Sequence, residues 1–236
     1  MKIPVIIWLY HLDLYDQIFP FLDQNSVYPI VGLCRANDNS KVLKSIEDDF
    51  KEYKIQYFDN MGADVWPFLE QLQQIEEPYF VKIHTKRNDE WRNSLVFDLF
   101  NNMKSNTDLL DQQEIMRPWN KIGKNDIGMI ANRDCIVSSH ENTNGDHIRE
   151  ICGLLKIDYD KVKLTRYVSG TMFMSRTDIF KKYFNHDVMS ELSQRMESGV
   201  ISDTYQGTYT HALERIFGYI ITNEQMRIIS PRCQKT

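Results

Sequence analysis

Apolar residues fall along the first third of the chain in two alternating rhythms: short, nearly continuous runs, and longer stretches in which they return every three or four positions. Val5 to Tyr10, Tyr28 to Cys34, Ile55 to Phe58 and Tyr79 to Ile83 are these runs, interrupted by a polar side chain only at Gln56 and Lys82, the signature of strands in a sheet covered on both faces. Between them lie Leu14 to Leu22, Val42 to Tyr53 and Phe68 to Ile75. In these, Leu14, Ile18, Phe21 and Leu22, then Val42, Leu43, Ile46 and Phe50, then Phe68, Leu69, Leu72 and Ile75 each repeat at the spacing of one helix face. Pro67 suits the first turn of the third helix, because its missing N–H has no partner there in any case. Strand and helix alternating four times predict a mostly parallel open α/β sheet covered by helices on both faces.

The second half is less regular. Trp91 to Met103, Asp178 to Phe184 and Gly207 to Ile221 read as helices, and Asp126 to Ala131 and Tyr167 to Met174 as strands. The polar stretches Asn132 to Asp146 and Asn185 to Thr204 read as loops, which at such length are usually functional or mobile. There is no internal repeat and no low-complexity tract.

With 236 residues, of which 42% are hydrophobic, the chain can bury one full core, and residues 1–236 read as a single domain. Lys and Arg number 28 against 33 Asp and Glu, a net charge of -5, so no overall basic field attracts nucleic acid and none is expected as a partner. Cys34, Cys135, Cys152 and Cys233 are scattered without a CxxC pair, which reads as reduced, buried thiols in a cytoplasmic protein. The apolar start, Met1 to Tyr10, is short, lacks a small-residue cleavage site and runs into His11-Leu12-Asp13, so it reads as a buried strand and not as a signal peptide. No run approaches the ~20 apolar residues that span a bilayer.

Candidate chemistry gathers in one region. The turn-rich segment Asn60-Met61-Gly62-Ala63-Asp64 leads into the third helix, and the next strand ends in His84-Thr85-Lys86. An apolar strand that delivers three hydrogen-bonding groups to one sheet edge does so where open α/β sheets bind phosphorylated ligands, which points to a nucleotide-diphosphate site. Lys82, His84 and Lys86 alternate and so share one face, from which the terminal lysine reaches a diphosphate.

The ordered series Asn60-x-Gly62-x-Asp64-x-x-Pro67-Phe68, Lys82-x-His84-Thr85-Lys86, Trp91-Arg92, Ile127-Gly128-Met129, Gly170-Thr171-Met172-Phe173-x-x-Arg176 and His211-Ala212-x-Glu214-Arg215 resembles the rhamnan synthesis protein F family. That resemblance covers about residues 5 to 221. It implies a glycosyltransferase of polysaccharide or lipopolysaccharide biosynthesis, using a nucleotide-sugar donor and a glycan or lipid-linked glycan acceptor. The layout is also similar to GT-A-type transferases, in which an Asn-x-Gly segment precedes a helix and a strand ending in an Asp-x-Asp metal motif. Here that strand ends in His84-Thr85-Lys86, poor ligands for Mg²⁺ or Mn²⁺, which want oxygen donors. No metal and no cofactor is therefore expected, and Lys86, helped by Lys82 or Arg87, takes over the neutralisation of the diphosphate.

The resemblance places donor-binding roles on Asn60, Gly62, Asp64, His84, Thr85, Lys86, Arg92, Gly170, Thr171 and Arg215. Each has a plainer reading beside it. Asn60, Gly62 and Asp64 are ordinary turn residues, His84 reads equally as a buried histidine satisfied by backbone, and Trp91-Arg92 as the start of an amphipathic helix. Met172 and Phe173 are core residues, whereas a glycine within a strand, Gly170, marks close approach by a ligand. His211, Glu214 and Arg215 share one helix face, either as a solvated salt-bridged face or as a site. In the second case Glu214 is the catalytic base, with His211 beside it and Asp203, in the preceding loop, as the rival base. The expected function is sugar transfer to a hydroxyl of a growing surface glycan, in the cytoplasm and peripherally at the inner face of the membrane. A catalytically silent glycan- or nucleotide-binding module, or another phosphate-handling enzyme such as a nucleotidyltransferase or phosphatase, stands as the alternative, since an α/β sheet does not fix chemistry.

Overall fold

The computed structural model describes residues 2–87, 96, 99–100, 103–111, 127–139, 144–199, 201 and 207–231. Nine strands are described: β1 (Ile3–Leu9), β2 (Val27–Cys34), β3 (Lys54–Phe58), β4 (Tyr79–His84), β5 (Ile127–Ile130), β6 (Ile136–Ser138), β7 (Arg166–Val168), β8 (Phe173–Arg176) and β9 (Arg227–Ile229). The helices among these residues are α1 (Tyr15–Ile18), α2 (Ser40–Asp49), α3 (Val65–Leu72), α4 (Met103–Asp111), α5 (Gly145–Leu154), α6 (Tyr159–Val162), α7 (Thr177–Tyr183), α8 (His186–Ser193) and α9 (Tyr209–Asn223).

Seven strands form the main sheet in the order β3-β2-β1-β4-β8-β5-β9, and β6 with β7 makes a separate two-stranded ribbon. All neighbours in the main sheet are parallel except β8, which runs antiparallel to both β4 and β5. Every residue of β1, β2 and β4 is buried, as the nearly continuous apolar runs require. The chain steps outward from β1 to β2 to β3, then returns past β1 to place β4 on its other side. Because such crossovers are right-handed, this reversal puts α2 and α3 on opposite faces. It also opens a crevice at the carboxyl ends of β1 and β4, where Trp8 pairs with His84.

Several local expectations change. Leu14 to Leu22 is three short turns and not one helix; the last, Phe19–Phe21, contains Pro20, which cannot donate to continue a helix. Tyr167 to Met174 is not one strand. Gly170 (φ 80°) and Thr171 (φ 50°) take left-handed conformations in succession, so the chain leaves the ribbon after Val168 and enters the main sheet at Phe173. The expected loop 185–204 contains α8, whose Val188 and Leu192 are buried four residues apart and whose cap is Asn185, accepting from the Val188 N–H at 3.1 Å. The expected loop 132–146 contains β6, pinned to β7. Most of the helix expected from Trp91 lies outside the described residues.

Candidate functional site

The crevice holds a cavity of about 500 Å³. Its floor is Asp64 and the end of β4. Lys82 is almost wholly buried, and its ammonium donates to Asp64 Oδ2 and, at 2.8 Å, to Thr171 Oγ1. Thr171 Oγ1 in turn donates to the same Oδ2 at 2.5 Å, and His84 Nδ1 lies 3.4 Å from it. All these contacts fall on Oδ2, while Asp64 itself lines the cavity. Burial alone would raise the Asp64 carboxyl, but His84, Lys82 and the two hydrogen bonds hold it well below the usual carboxylate range. Burial pushes His84 down to about 4, against the pull of Asp64 and with that of Lys82 and Lys86, so its imidazole is neutral at pH 7.

Lys82 is thus held by Asp64 and Thr171 and does not itself line the cavity, whereas the sequence reading has it help Lys86 neutralise a diphosphate. Lys86, two residues beyond His84, lines the cavity. Burial lowers its ammonium, opposed by Glu214 and Asp64, so both carboxylates act on it. Thr85 also lines the cavity, but its hydroxyl accepts the N–H groups of Tyr10 (3.0 Å) and His11 (2.9 Å). It fastens the end of β1 to the end of β4 and has little capacity left for a ligand.

The opposite wall is the first turn of α9. Thr208 caps the helix through the His211 N–H (3.1 Å) and also meets His211 Nδ1 at 2.6 Å. Thr210 and His211 line the cavity, and Glu214 lines it one turn further along the same side of the helix. Glu214 Oε1 accepts the Gly170 N–H at 2.5 Å, and burial raises its carboxyl against that bond and against Arg215. A buried carboxyl whose affinity for a proton is raised, at a cavity wall, has the character of a general base or acid.

Asn60, Gly170 and Thr171 also line the cavity, as expected, but Gly62 and Arg215 do not. Gly62 is architectural: at φ 60° a Cβ there would lie 2.5 Å from Met196 Cε and 2.6 Å from Trp66 Cβ. Arg215 is buried beneath the wall, donating to the His211 carbonyl at 2.7 Å and lying 5.0 Å over the Tyr167 ring. Arg92 and Asp203 lie outside the described residues. Sequence reasoning missed Trp8, Tyr10 and His11, which bring an aromatic wall from the end of β1. The same rule that picked the end of β4 applies to its parallel neighbour and would have found them.

A divalent cation of the GT-A type does not fit these donors. The carboxylate nearest the strand end already holds an ammonium and a hydroxyl on one oxygen, and His84 and Lys86 supply no hard oxygen ligand. Among the described residues no group of three or more His, Cys, Asp or Glu side chains converges on a common point. Nor is any described helix long and apolar enough to cross a membrane.

The family model for rhamnan synthesis protein F matches residues 1–226. The chain belongs to the rhamnan synthesis protein F family. A curated relative of this family member, the uncharacterized protein WxcX of Xanthomonas campestris pv. campestris (strain B100), is 22% identical over 241 residues, covering 95% of this chain. The chain spans only 32% of that relative's length. Among solved structures, S. aureus TarS is similar with a TM-score of 0.46 and 10% identity, over 98% of this chain and 36% of that one. A cytidylyltransferase from Leptospira borgpetersenii gives 0.41 and 10%, over 98% and 75%. Mouse xyloside xylosyltransferase 1 gives 0.40 and 8%, over 97% and 85%.

Proposed function

We propose that this member of the rhamnan synthesis protein F family is a glycosyltransferase domain that moves a sugar from a nucleotide-diphosphate donor to a hydroxyl of a cell-surface polysaccharide or lipopolysaccharide. The observation that carries this reading is the cavity at the switch point of the sheet, lined by Asp64, Lys86, His211 and Glu214, where both carboxylates act on the Lys86 ammonium. In the transfer, the bond from the anomeric carbon to the diphosphate breaks as the bond to the acceptor oxygen forms, and the acceptor proton leaves to a base. Lys86 neutralises the departing diphosphate. Asp64, through the oxygen that Lys82 and Thr171 leave unused, accepts from a donor hydroxyl. Glu214 takes the acceptor proton, its affinity for it raised by burial. The aromatic end of β1 packs on the nucleoside, and no step uses a metal ion.

The test is transfer or hydrolysis of a panel of nucleotide sugars by the wild type and by Glu214→Gln. The variant keeps an acceptor for the Gly170 N–H, so it should melt like the wild type while losing about 10²- to 10⁴-fold in rate. A folded, fully active Glu214→Gln would remove Glu214 as the base. A silent binding module is the second reading, favoured by the way Lys82 and Gly170 already engage one oxygen of each of the two carboxylates. Tight nucleotide binding with no turnover of any sugar nucleotide would select it.

A further inference from the structure

The wall and the floor of the cavity are tied together by a residue that the cavity does not expose. Met61 pairs in an antiparallel bridge with Ser198. Beside it the Gly62 N–H donates to the Glu197 carbonyl at 2.8 Å, and the Gly199 N–H to the Asn60 carbonyl at 2.7 Å. The strap made by residues 196–199 is thus seated on the turn that leads to Asp64, with Met196 packed where a side chain on Gly62 would be. The Glu197 side chain then turns to the N-terminus of α9. One carboxylate oxygen accepts the Tyr209 N–H, and the other accepts the Thr210 N–H at 3.1 Å and the Thr210 hydroxyl at 2.8 Å.

Followed onward, these contacts close on themselves. From α9, Glu214 reaches the Gly170 N–H; from the next residue, Thr171 reaches Asp64; and Asp64 is four residues from Asn60. The 60–64 turn, the strap, the start of α9 and the 170–171 turn, each of which contributes to the lining of the cavity, are thus joined in a closed circuit of hydrogen bonds. Two of its four joints are single side chains, Glu197 and Glu214, and only the second lines the cavity.

We propose that Glu197 is a positioning residue, which locks the first turn of α9 against the Asn60–Asp64 turn and thereby sets the distance at which His211 and Glu214 stand from Asp64 and Lys86. Its carboxylate suits that role, because its two oxygens take two successive backbone N–H groups and its negative charge lies at the positive end of a 15-residue helix. An ordinary cap would end its influence there. Glu197 also carries the backbone bond to Gly62, so loosening its carboxylate frees the helix from the strap and is felt on the far side of the cavity at Gly170.

The test reads amide exchange by NMR in the full chain without ligand, comparing Glu197→Ala and Glu197→Gln with the wild type. For Glu197→Ala, exchange should speed by about ten-fold or more at Tyr209 and Thr210 and also at Gly170, while Val81 in the sheet centre stays unchanged. Glu197→Gln retains one acceptor oxygen and should fall between; if the alanine variant does not fold, the glutamine variant must show the same pattern. Acceleration confined to Tyr209 and Thr210 would reduce Glu197 to a cap, and equal acceleration at Val81 would make it a residue of global stability; either overturns the proposal. In a second arm, which rests on the donor reading, UDP, GDP, CDP and dTDP are titrated by calorimetry, and the best binder should lose about ten-fold in affinity in Glu197→Gln. If no diphosphate binds the wild type, the donor reading fails, and the exchange pattern alone decides the role of Glu197.

Discussion

At the scale of single residues, the floor of the cavity is an ion pair that is stable only as a unit. Lys82 is 1% exposed and the Asp64 side chain 18%, so removing Asp64 strands a buried ammonium, and removing Lys82 leaves a mostly buried carboxylate at the cavity floor without its cation. Lys82→Met should lower unfolding free energy by about 3–5 kcal/mol, whereas adding Asp64→Asn to it should recover part of that loss, since no uncompensated carboxylate then remains. A denaturant double-mutant cycle measures both; additive losses would mean that the pair carries no coupling. His84 adds a pH dependence of definite sign. Its pKa is depressed in the folded state to about 4 from an ordinary 6.5, so its contribution is present above pH 6.5 and is lost as pH falls towards 4. His84→Gln should flatten that part of the stability profile, and an unchanged slope between pH 6.5 and 4 would show that other groups set it. His84 and Lys86 were legible as cavity residues from a strand end, whereas Asp64, in a turn, and His211 and Glu214, on one helix face, were singled out with the help of the family resemblance. That Thr85 and Gly62 serve the backbone was not legible, because a hydroxyl accepting two N–H groups and a glycine filled by Met196 depend on chain segments distant in sequence.

At the scale of elements, α9 owes its position to Gly218. A Cβ there would lie 2.3 Å from the Arg166 carbonyl and 2.7 Å from Tyr167 Cα, backbone atoms that cannot swing aside. Gly218→Ala should therefore cost about 2–3 kcal/mol in a chemical melt, although alanine is the better helix former. A stabilised variant would show that α9 does not press on the ribbon. This close crossing explains a missed boundary. The sequence from Tyr167 to Met174 carries an apolar pattern suited to one strand, and nothing local says that its first residues belong beneath α9 in a ribbon with β6 while its last join β4. The strands buried on both faces, β1, β2 and β4, were readable because their burial demands nearly continuous apolar runs. The short strands β6 and β9, three residues each, carry too little pattern to be read.

At the scale of the whole molecule, strand order decides where chemistry collects. The reversal between β3 and β4 brings the ends of β1 and β4 together, and Asp64, Lys86 and Glu214, the groups with an ionisable role in the proposed reaction, line the cavity at that point. The alternation of strands and helices announced a mostly parallel sheet with chemistry at one edge but not this strand order, and the far wall is built from the last third of the chain, whose return to the crevice no local pattern announces. In the proposed reaction Lys86 meets the charge of the donor diphosphate without a metal ion, while Lys82 pairs with the floor carboxylate. The measurement that tests this most directly is calorimetric titration, in excess EDTA, of a nucleoside diphosphate and of its nucleoside into wild type and Lys86→Ala. A charge-assisted contact contributes about 1.5 to 3 kcal/mol, so Lys86→Ala should weaken the diphosphate roughly ten- to hundred-fold and leave the nucleoside unchanged. Collapse of wild-type binding on chelation, or equal losses for both ligands in Lys86→Ala, would contradict it.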